Sequence, residues 1–222
     1  MENNTHINNP SWTNEPHKLI CLLIDTSGSM GANIKNNPIG QLNDYFMNCK
    51  FEGHQYDLID LAIVGFSHNA YVIQNFAPLS KLHPFVLSAD GPTAMGEGIN
   101  LAIDLVKERI RLYANLGTPI FRPCILMLTD GQSTDDISNA IQRIKECEEK
   151  KKLTMWAAGI IGSSCDELKR ITKRALYIDI EITKLSEFLD YMLSIIIHTS
   201  EEVQINKPDG VSIIQEDLDW IW

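Results

Sequence analysis

The feature that most constrains this chain is an apolar run that stops on a carboxylate. Leu19-Ile20-Cys21-Leu22-Leu23-Ile24 shows no polar alternation and ends at Asp25, after which Thr26-Ser27-Gly28-Ser29-Met30 follows. A strand without alternation is covered on both faces, as in the middle of a parallel sheet flanked by helices. Asp25 then emerges at the carboxyl edge of its strand, which is where open α/β sheets bind ligands. The loop beyond it carries oxygen side chains at alternate positions, Asp25, Ser27 and Ser29. Hard donors spaced this closely suit a hard cation, and magnesium takes oxygen ligands at about 2.0–2.1 Å in a near-octahedral array.

Two other readings attach to the same residues. Asp25-Thr26-Ser27-Gly28-Ser29 is superficially like the Asp-Thr-Gly loop of aspartic proteases, but those need a second matching loop and an all-β frame, and this chain has neither. The plainer reading makes Asp25 and the serines turn formers and caps of the next helix, their usual work. The decapeptide alone does not choose between a cap and a metal. Two distant segments do. Asp90-Gly91-Pro92-Thr93-Ala94-Met95-Gly96 opens a helix with another hydroxyl, and Cys124-Ile125-Leu126-Met127-Leu128-Thr129-Asp130-Gly131 is a second apolar strand ending in a carboxylate. The set Asp-x-Ser-x-Ser, Thr and Asp-Gly resembles the metal-ion-dependent adhesion site of von Willebrand factor A domains. Asp25, Ser27, Ser29, Thr93 and Asp130 fill all its positions.

Composition narrows the function classes. The chain has 222 residues, 44% of them apolar, enough for one α/β domain with short extensions. A net charge of −10 argues against non-specific nucleic-acid binding or a polybasic membrane contact. No basic stripe is visible along the sequence; Lys150, Lys151 and Lys152 end a predicted helix, where cations complement the dipole. The five cysteines are irregularly spaced, and Cys21 and Cys124 fall inside strands where thiols pack as small hydrophobes. No Cys-x-x-Cys or His-x-x-x-His pair suggests zinc. Nothing is long and apolar enough to span a bilayer, so the cytoplasm is the expected location.

In order, residues 1–17 read as a flexible, Asn-rich arm with Trp12 in it. Asn37-Pro38 opens a helix whose Ile39, Leu42, Phe46 and Cys49 share a face. Strands are predicted over 58–66 and 70–76, and the short turn Ser67-His68-Asn69 makes them an antiparallel pair with the second at an edge. His68 reads as a polar turn residue. An irregular stretch delivers Thr93, and a helix over 94–115 buries Ile99, Ala102, Ile103, Val106, Ile110 and Tyr113 while its charged face is solvated. Thr134-Asp135-Asp136 is expected to cap the helix carrying Ile137, Ile141 and Ile144; the two acids also lie near the proposed metal, which gives them a second reading as groups at its rim. A strand over 153–161 precedes a short helix opened by the capping-box pair Ser164 and Glu167, then a strand over 176–180 and a final amphipathic helix through Ile196. Alternating strands and helices give a mostly parallel sheet covered on both sides. Residues 200–222 form an acidic extension ending Asp219-Trp220-Ile221-Trp222, expected to fold back and bury its aromatics rather than wait as a docking segment.

The resemblance covers residues 18–199, and Thr129-Asp130-Gly131-Gln132-Ser133-Thr134-Asp135-Asp136 is most similar to the bacterial tellurium-resistance-associated group of the family. It implies a Rossmann-like, six-stranded sheet of order 3-2-1-4-5-6 with one antiparallel edge strand. It also implies a bound magnesium, with manganese or calcium as alternatives, and a role in protein association in a stress or defence system. Ser27, Ser29 and Thr93 would be hydroxyl ligands, and Asp25 and Asp130 carboxylates acting directly or through water. Two carboxylates roughly balance the cation, so an Asp or Glu of a partner protein can complete the octahedron. An enzyme needs a base or nucleophile beside the metal, and the three site loops supply no His, Lys or Cys. The alternative, a magnesium-dependent phosphoryl-transfer hydrolase, lacks an Asp-x-Asp nucleophile loop and a Gly-x-x-x-x-Gly-Lys cradle.

Overall fold

The computed structural model describes residues 13–32, 37–160, 165–178, 184–198 and 208–215. The chain runs β1 (Lys18–Asp25), α1 (Ser29–Ala32), α2 (Pro38–Asn48), α3 (His54–Asp57), β2 (Ile59–Phe66) and β3 (Ala70–Pro78), then a 3-10 turn (Leu79–Lys81). It continues through α4 (Met95–Leu116), β4 (Cys124–Thr129), α5 (Ser138–Glu149), β5 (Thr154–Ile160), α6 (Cys165–Ile171), β6 (Ala175–Ile178), α7 (Leu185–His198) and β7 (Val211–Gln215).

Strand β1 lies mid-sheet, hydrogen-bonded in parallel to β2 on one side and β4 on the other. Its apolar run is two faces read out alternately. Ile20, Leu22 and Ile24 join a core with Phe46 of α2 and Phe188 of α7. Leu19, Cys21 and Leu23 join the opposite core with Ile103 of α4 and Ile144 of α5. Both faces are covered, which is why no polar residue interrupts the run.

The sheet order is β3-β2-β1-β4-β5-β6-β7. Its first six strands follow the order 3-2-1-4-5-6, with β3 antiparallel to β2 at one edge. A seventh strand extends this frame: β7, from the stretch read as an acidic extension, pairs antiparallel with β6. Trp220, Ile221 and Trp222 lie outside the described residues, as do Ser164, Trp12 and the rest of 1–12.

Several local expectations change. Asn37 caps α2 by accepting from the Gly40 amide at 2.9 Å, as its sequence suggests. Asp135, expected to cap α5, instead caps α4: its two carboxylate oxygens accept from the Gly96 and Glu97 amides at 3.0 Å each. Gly96 permits this approach, since a Cβ there would stand 2.8 Å from Asp135 Oδ2. Glu167 accepts from the Ser133 amide at 3.2 Å. The buried face of α4 includes a charge, Arg109, whereas Ile110 is only half-buried.

His17, read as the last residue of the arm, is buried, and its Nδ1 is 2.9 Å from the Tyr113 hydroxyl. Folding also gathers the basic cluster that the sequence does not display, at the end of the sheet where β4, β5 and β6 begin. Among the described residues no helix is long and apolar enough to cross a membrane.

Candidate metal centre

The site forms where β1 and β4 end side by side. Their register pairs Ile24 with Leu128, so Asp25 and Thr129 leave the sheet together, with Asp130 one residue on. Asp25 is fully buried, Ser27 and Thr93 nearly so, and Ser29 is exposed. The donors therefore run from the sheet edge out to solvent.

Backbone hydrogen bonds stitch the loops into one unit. Gly28 donates to the Gly91 carbonyl at 3.0 Å and Asp90 to the Thr26 carbonyl at 2.9 Å, tying the first loop to the second. Thr134 donates its amide to the Thr93 carbonyl at 2.9 Å, and its hydroxyl accepts from the Thr93 amide at 3.1 Å. Thr26 anchors the first loop to β2 through its hydroxyl, which donates to the Phe66 carbonyl at 3.1 Å.

Within this frame the five candidate ligands meet. Asp25 Oδ1 accepts from the Ser27 amide at 2.8 Å and Asp25 Oδ2 from the Thr129 hydroxyl at 2.6 Å. The Ser27 and Ser29 hydroxyl oxygens lie 3.1 Å apart, and Ser29 donates to Asp130 Oδ1 at 2.8 Å. Gly131 supplies a measure of the space between them. A Cβ built there would stand 3.5 Å from Thr93 Oγ1, 3.9 Å from Asp25 Oδ2 and 4.0 Å from Ser29 Oγ. One point on the third loop thus views oxygens from the other two, with a hydrogen in place of the side chain that would fill it.

Electrostatics give the cradle its direction. Burial pushes the Asp25 carboxyl above the usual range, against hydrogen bonds from Ser27 and Thr129, and nearby Asp130 pushes the same way. Burial likewise raises Asp130, opposed by the Ser29 hydroxyl. The partners of both carboxylates are hydroxyls and amides, with no ion pair to either among the described residues. Two desolvated carboxylates facing neutral hydroxyls form a set of hard oxygens, the chemistry that holds magnesium, manganese or calcium. Among the described residues no three His, Cys, Asp or Glu side chains gather into a metal-holding group, and the donors here are two carboxylates and three hydroxyls.

Sequence reasoning missed two contributors, Thr129 and Thr134, and read Asp135 first as a helix cap and second as a group at the rim of the metal. Thr129 orients Asp25, and Thr134 and Asp135 fix the loop and helix that carry Thr93. Their only signal was adjacency to Asp130, because their partners lie 38 or more residues away in sequence. His68, read as a polar turn residue, packs on the Thr93 loop. A Cβ on Gly91 would stand 2.3 Å from its ring, and Gly91 itself has a φ of +79°. The ring is largely exposed, with Nε2 4.0 Å from Asp90 Oδ2.

The family model described as von Willebrand factor type A domain matches residues 20–190. No curated protein matches the chain. Among solved structures, proximal thread matrix protein 1 from the mussel byssus, with a zinc-occupied MIDAS motif, is 19% identical with a TM-score of 0.54, covering 82% of this chain and 45% of that one. A von Willebrand factor type A protein from Catenulispora acidiphila is 19% identical, with a TM-score of 0.53 and coverage of 82% and 43%. The pilus adhesin SpaC from Lactobacillus rhamnosus GG is 14% identical, with a TM-score of 0.62 and coverage of 84% and 31%. The chain spans less than half the length of each of these structures.

Proposed function

Because this chain belongs to the von Willebrand factor type A domain family, we propose that it is a metal-dependent protein-binding module. Its ligands are Asp25, Ser27, Ser29, Thr93 and Asp130, and its cation is magnesium, with manganese or calcium as substitutes. The observation that carries this reading is the cradle at Gly131, where oxygens of Asp25, Ser29 and Thr93 converge within 4.0 Å of one point. A divalent cation there would offset both carboxylates and present an open position to an Asp or Glu of a partner protein. The exposed Ser29 rim leaves a partner carboxylate a way in.

Binding is favoured over hydrolysis because the hydrogen-bonded set contains no general base or nucleophile beyond the candidate ligands themselves. His68, on the neighbouring turn, points toward Asp90 rather than the carboxylates. The phosphoryl-transfer alternative predicts magnesium-dependent turnover in a phosphatase and nucleotidase screen. The family context we propose is the tellurium-resistance-associated group, in a bacterial stress or defence system, on the segment from Thr129 to Asp136. A cytoplasmic setting is supported by the free thiols Cys21, Cys49, Cys124 and Cys147.

The test is capture of partners from the native cell in magnesium and in chelator, with Asp25→Ala as control. Metal-dependent capture that the variant loses supports the module. Equal capture by both proteins in both conditions overturns it.

A further inference from the structure

The loops of the metal edge are acidic beyond what a cation needs. Residues 25–32, 88–97 and 129–138 carry Asp25, Asp90, Glu97, Asp130, Asp135 and Asp136, and no Lys or Arg. A divalent cation offsets two of these six charges and leaves four. Asp90, Glu97 and Asp136 are exposed, and among the described residues none of the three has a Lys or Arg partner. An acid that approaches this edge alone meets like charge, so the acid that reaches the metal must arrive among cations.

The opposite end of the sheet presents that combination. Strands β1, β2, β4, β5 and β6 run parallel, so the metal edge gathers their ends and the other edge their starts. Helix α5 finishes at this second edge on Glu149, and Lys150, Lys151 and Lys152 follow before β5 begins. All four residues are exposed. The turn is held by its backbone, with the Lys151 amide donating to the Glu148 carbonyl at 2.9 Å and the Lys152 amide to the Cys147 carbonyl at 2.8 Å. Lys151 has a φ of 51°, so a place in the turn that usually takes glycine carries a long cation instead.

Glu149 is the acid that the end of α5 leaves available. Glu148 Oε1 accepts from Arg174 Nη1 at 2.8 Å, and Glu146 Oε1 accepts from the Gln142 side-chain amide at 3.0 Å. Glu149 has, among the described residues, only Lys145 at 4.0 Å, and its side chain is 63% exposed. No carboxylate among the described residues pairs with Lys150, Lys151 or Lys152. Arg122 and Arg170, also exposed, widen the cationic surface at the same end of the sheet. An exposed carboxylate ringed by lysines thus stands at one end of the molecule, and a metal cradle ringed by carboxylates at the other.

We propose that the partner of the metal edge is the opposite end of a second copy of this chain, with Glu149 completing the coordination of the cation and the flanking lysines facing the acidic rim. The inference rests on the metal-dependent module proposed above and names its partner. Two different surfaces meet, so the contact is heterologous and repeats from copy to copy, each leaving one end of each kind unfilled.

Sedimentation velocity of the full chain tests this. In magnesium the weight-average mass is expected to rise above the monomer with protein concentration and to return to the monomer in chelator. It should also fall as salt is raised, because exposed charges are screened beyond about 10 Å at about 0.1 M. Glu149→Gln and Asp25→Ala are each expected to stay monomeric in magnesium, the first with the parental magnesium affinity by isothermal titration and the second without it. Mixed together, they are expected to associate and to stop at one-to-one pairs, because each supplies the end that the other lacks. A parent that binds magnesium yet stays monomeric at every concentration overturns the second copy and leaves the metal module standing, whereas a parent that binds no magnesium overturns both. Association in chelator, or association of Glu149→Gln as strong as that of the parent, also overturns the proposal.

Discussion

Two buried carboxylates sit at opposite ends of neighbouring strands, and the chain treats them differently. Asp60, near the start of β2, receives Arg109 Nε at 2.8 Å and the Tyr113 hydroxyl at 2.8 Å. Burial alone would raise its carboxyl, but the His17 ring, the Arg109 charge and the Tyr113 hydroxyl outweigh it and hold Asp60 below the usual carboxylate range. Asp25, at the end of β1, has only hydroxyl and amide partners and is pushed up. One anion is neutralised by the fold and fastens α4 to the sheet. The other is held in place but left uncompensated, which is the condition for an outside cation to bind strongly.

The comparison breaks most severely if the internal partner is removed. Arg109→Ala leaves Asp60 buried without its cation and is expected to cost roughly 3–5 kcal/mol of stability by denaturant unfolding. Adding Asp60→Asn should recover part of that loss, because the stranded charge goes with it. A single Arg109→Ala variant as stable as the parent would show that Asp60 needs no internal counter-charge.

Asp25→Ala should behave in the opposite sense. Magnesium or manganese affinity by isothermal titration is expected to fall on the order of 100-fold or more. The metal-free melting temperature should hold or rise, since a desolvated unpaired charge has been removed. Unchanged affinity would remove Asp25 from the site.

Acid titration separates the two by sign. The folded pKa of Asp60 lies below its unfolded value, so its contribution is complete above about pH 3.9 and is lost as pH falls below that value through the folded pKa. The folded pKa of Asp25 is raised, so in metal-free protein its contribution is present below about pH 3.9 and is lost as pH rises through its folded pKa. Asp60→Asn should flatten the acid limb of the stability curve, and Asp25→Asn should raise the curve above it. Magnesium should abolish the second difference in the parent; persistence of the gap at saturating metal would mean the cation does not sit on Asp25.

Thr93→Ala is expected to have the smallest effect, about tenfold in metal affinity, because water can replace one neutral ligand. Its stability should change little, since the Thr134 contacts hold the Thr93 backbone and not its side chain. A loss as large as that of Asp25→Ala would show that Thr93 positions the loop as well as the ion.

The sequence by itself determined the frame and the donor set of the candidate site. An unalternated run ending in a carboxylate is possible only where both faces are covered, and β1 and β4 each carry one, so the edge that gathers Asp25 and Asp130 was legible from local order. The short turn at His68 forced the antiparallel pair for the same reason: geometry within a few residues leaves no other connection. Tertiary structure alone decided what joins residues far apart in the chain. Arg109 and Asp60 are 49 residues apart, Asp135 and Gly96 39, and Thr129 and Asp25 104. It also placed β7 at the sheet edge and drew scattered lysines and arginines into one cleft. Periodicity reports which face a residue occupies, because that depends on its own backbone; it cannot report what stands opposite, because that depends on how distant elements pack.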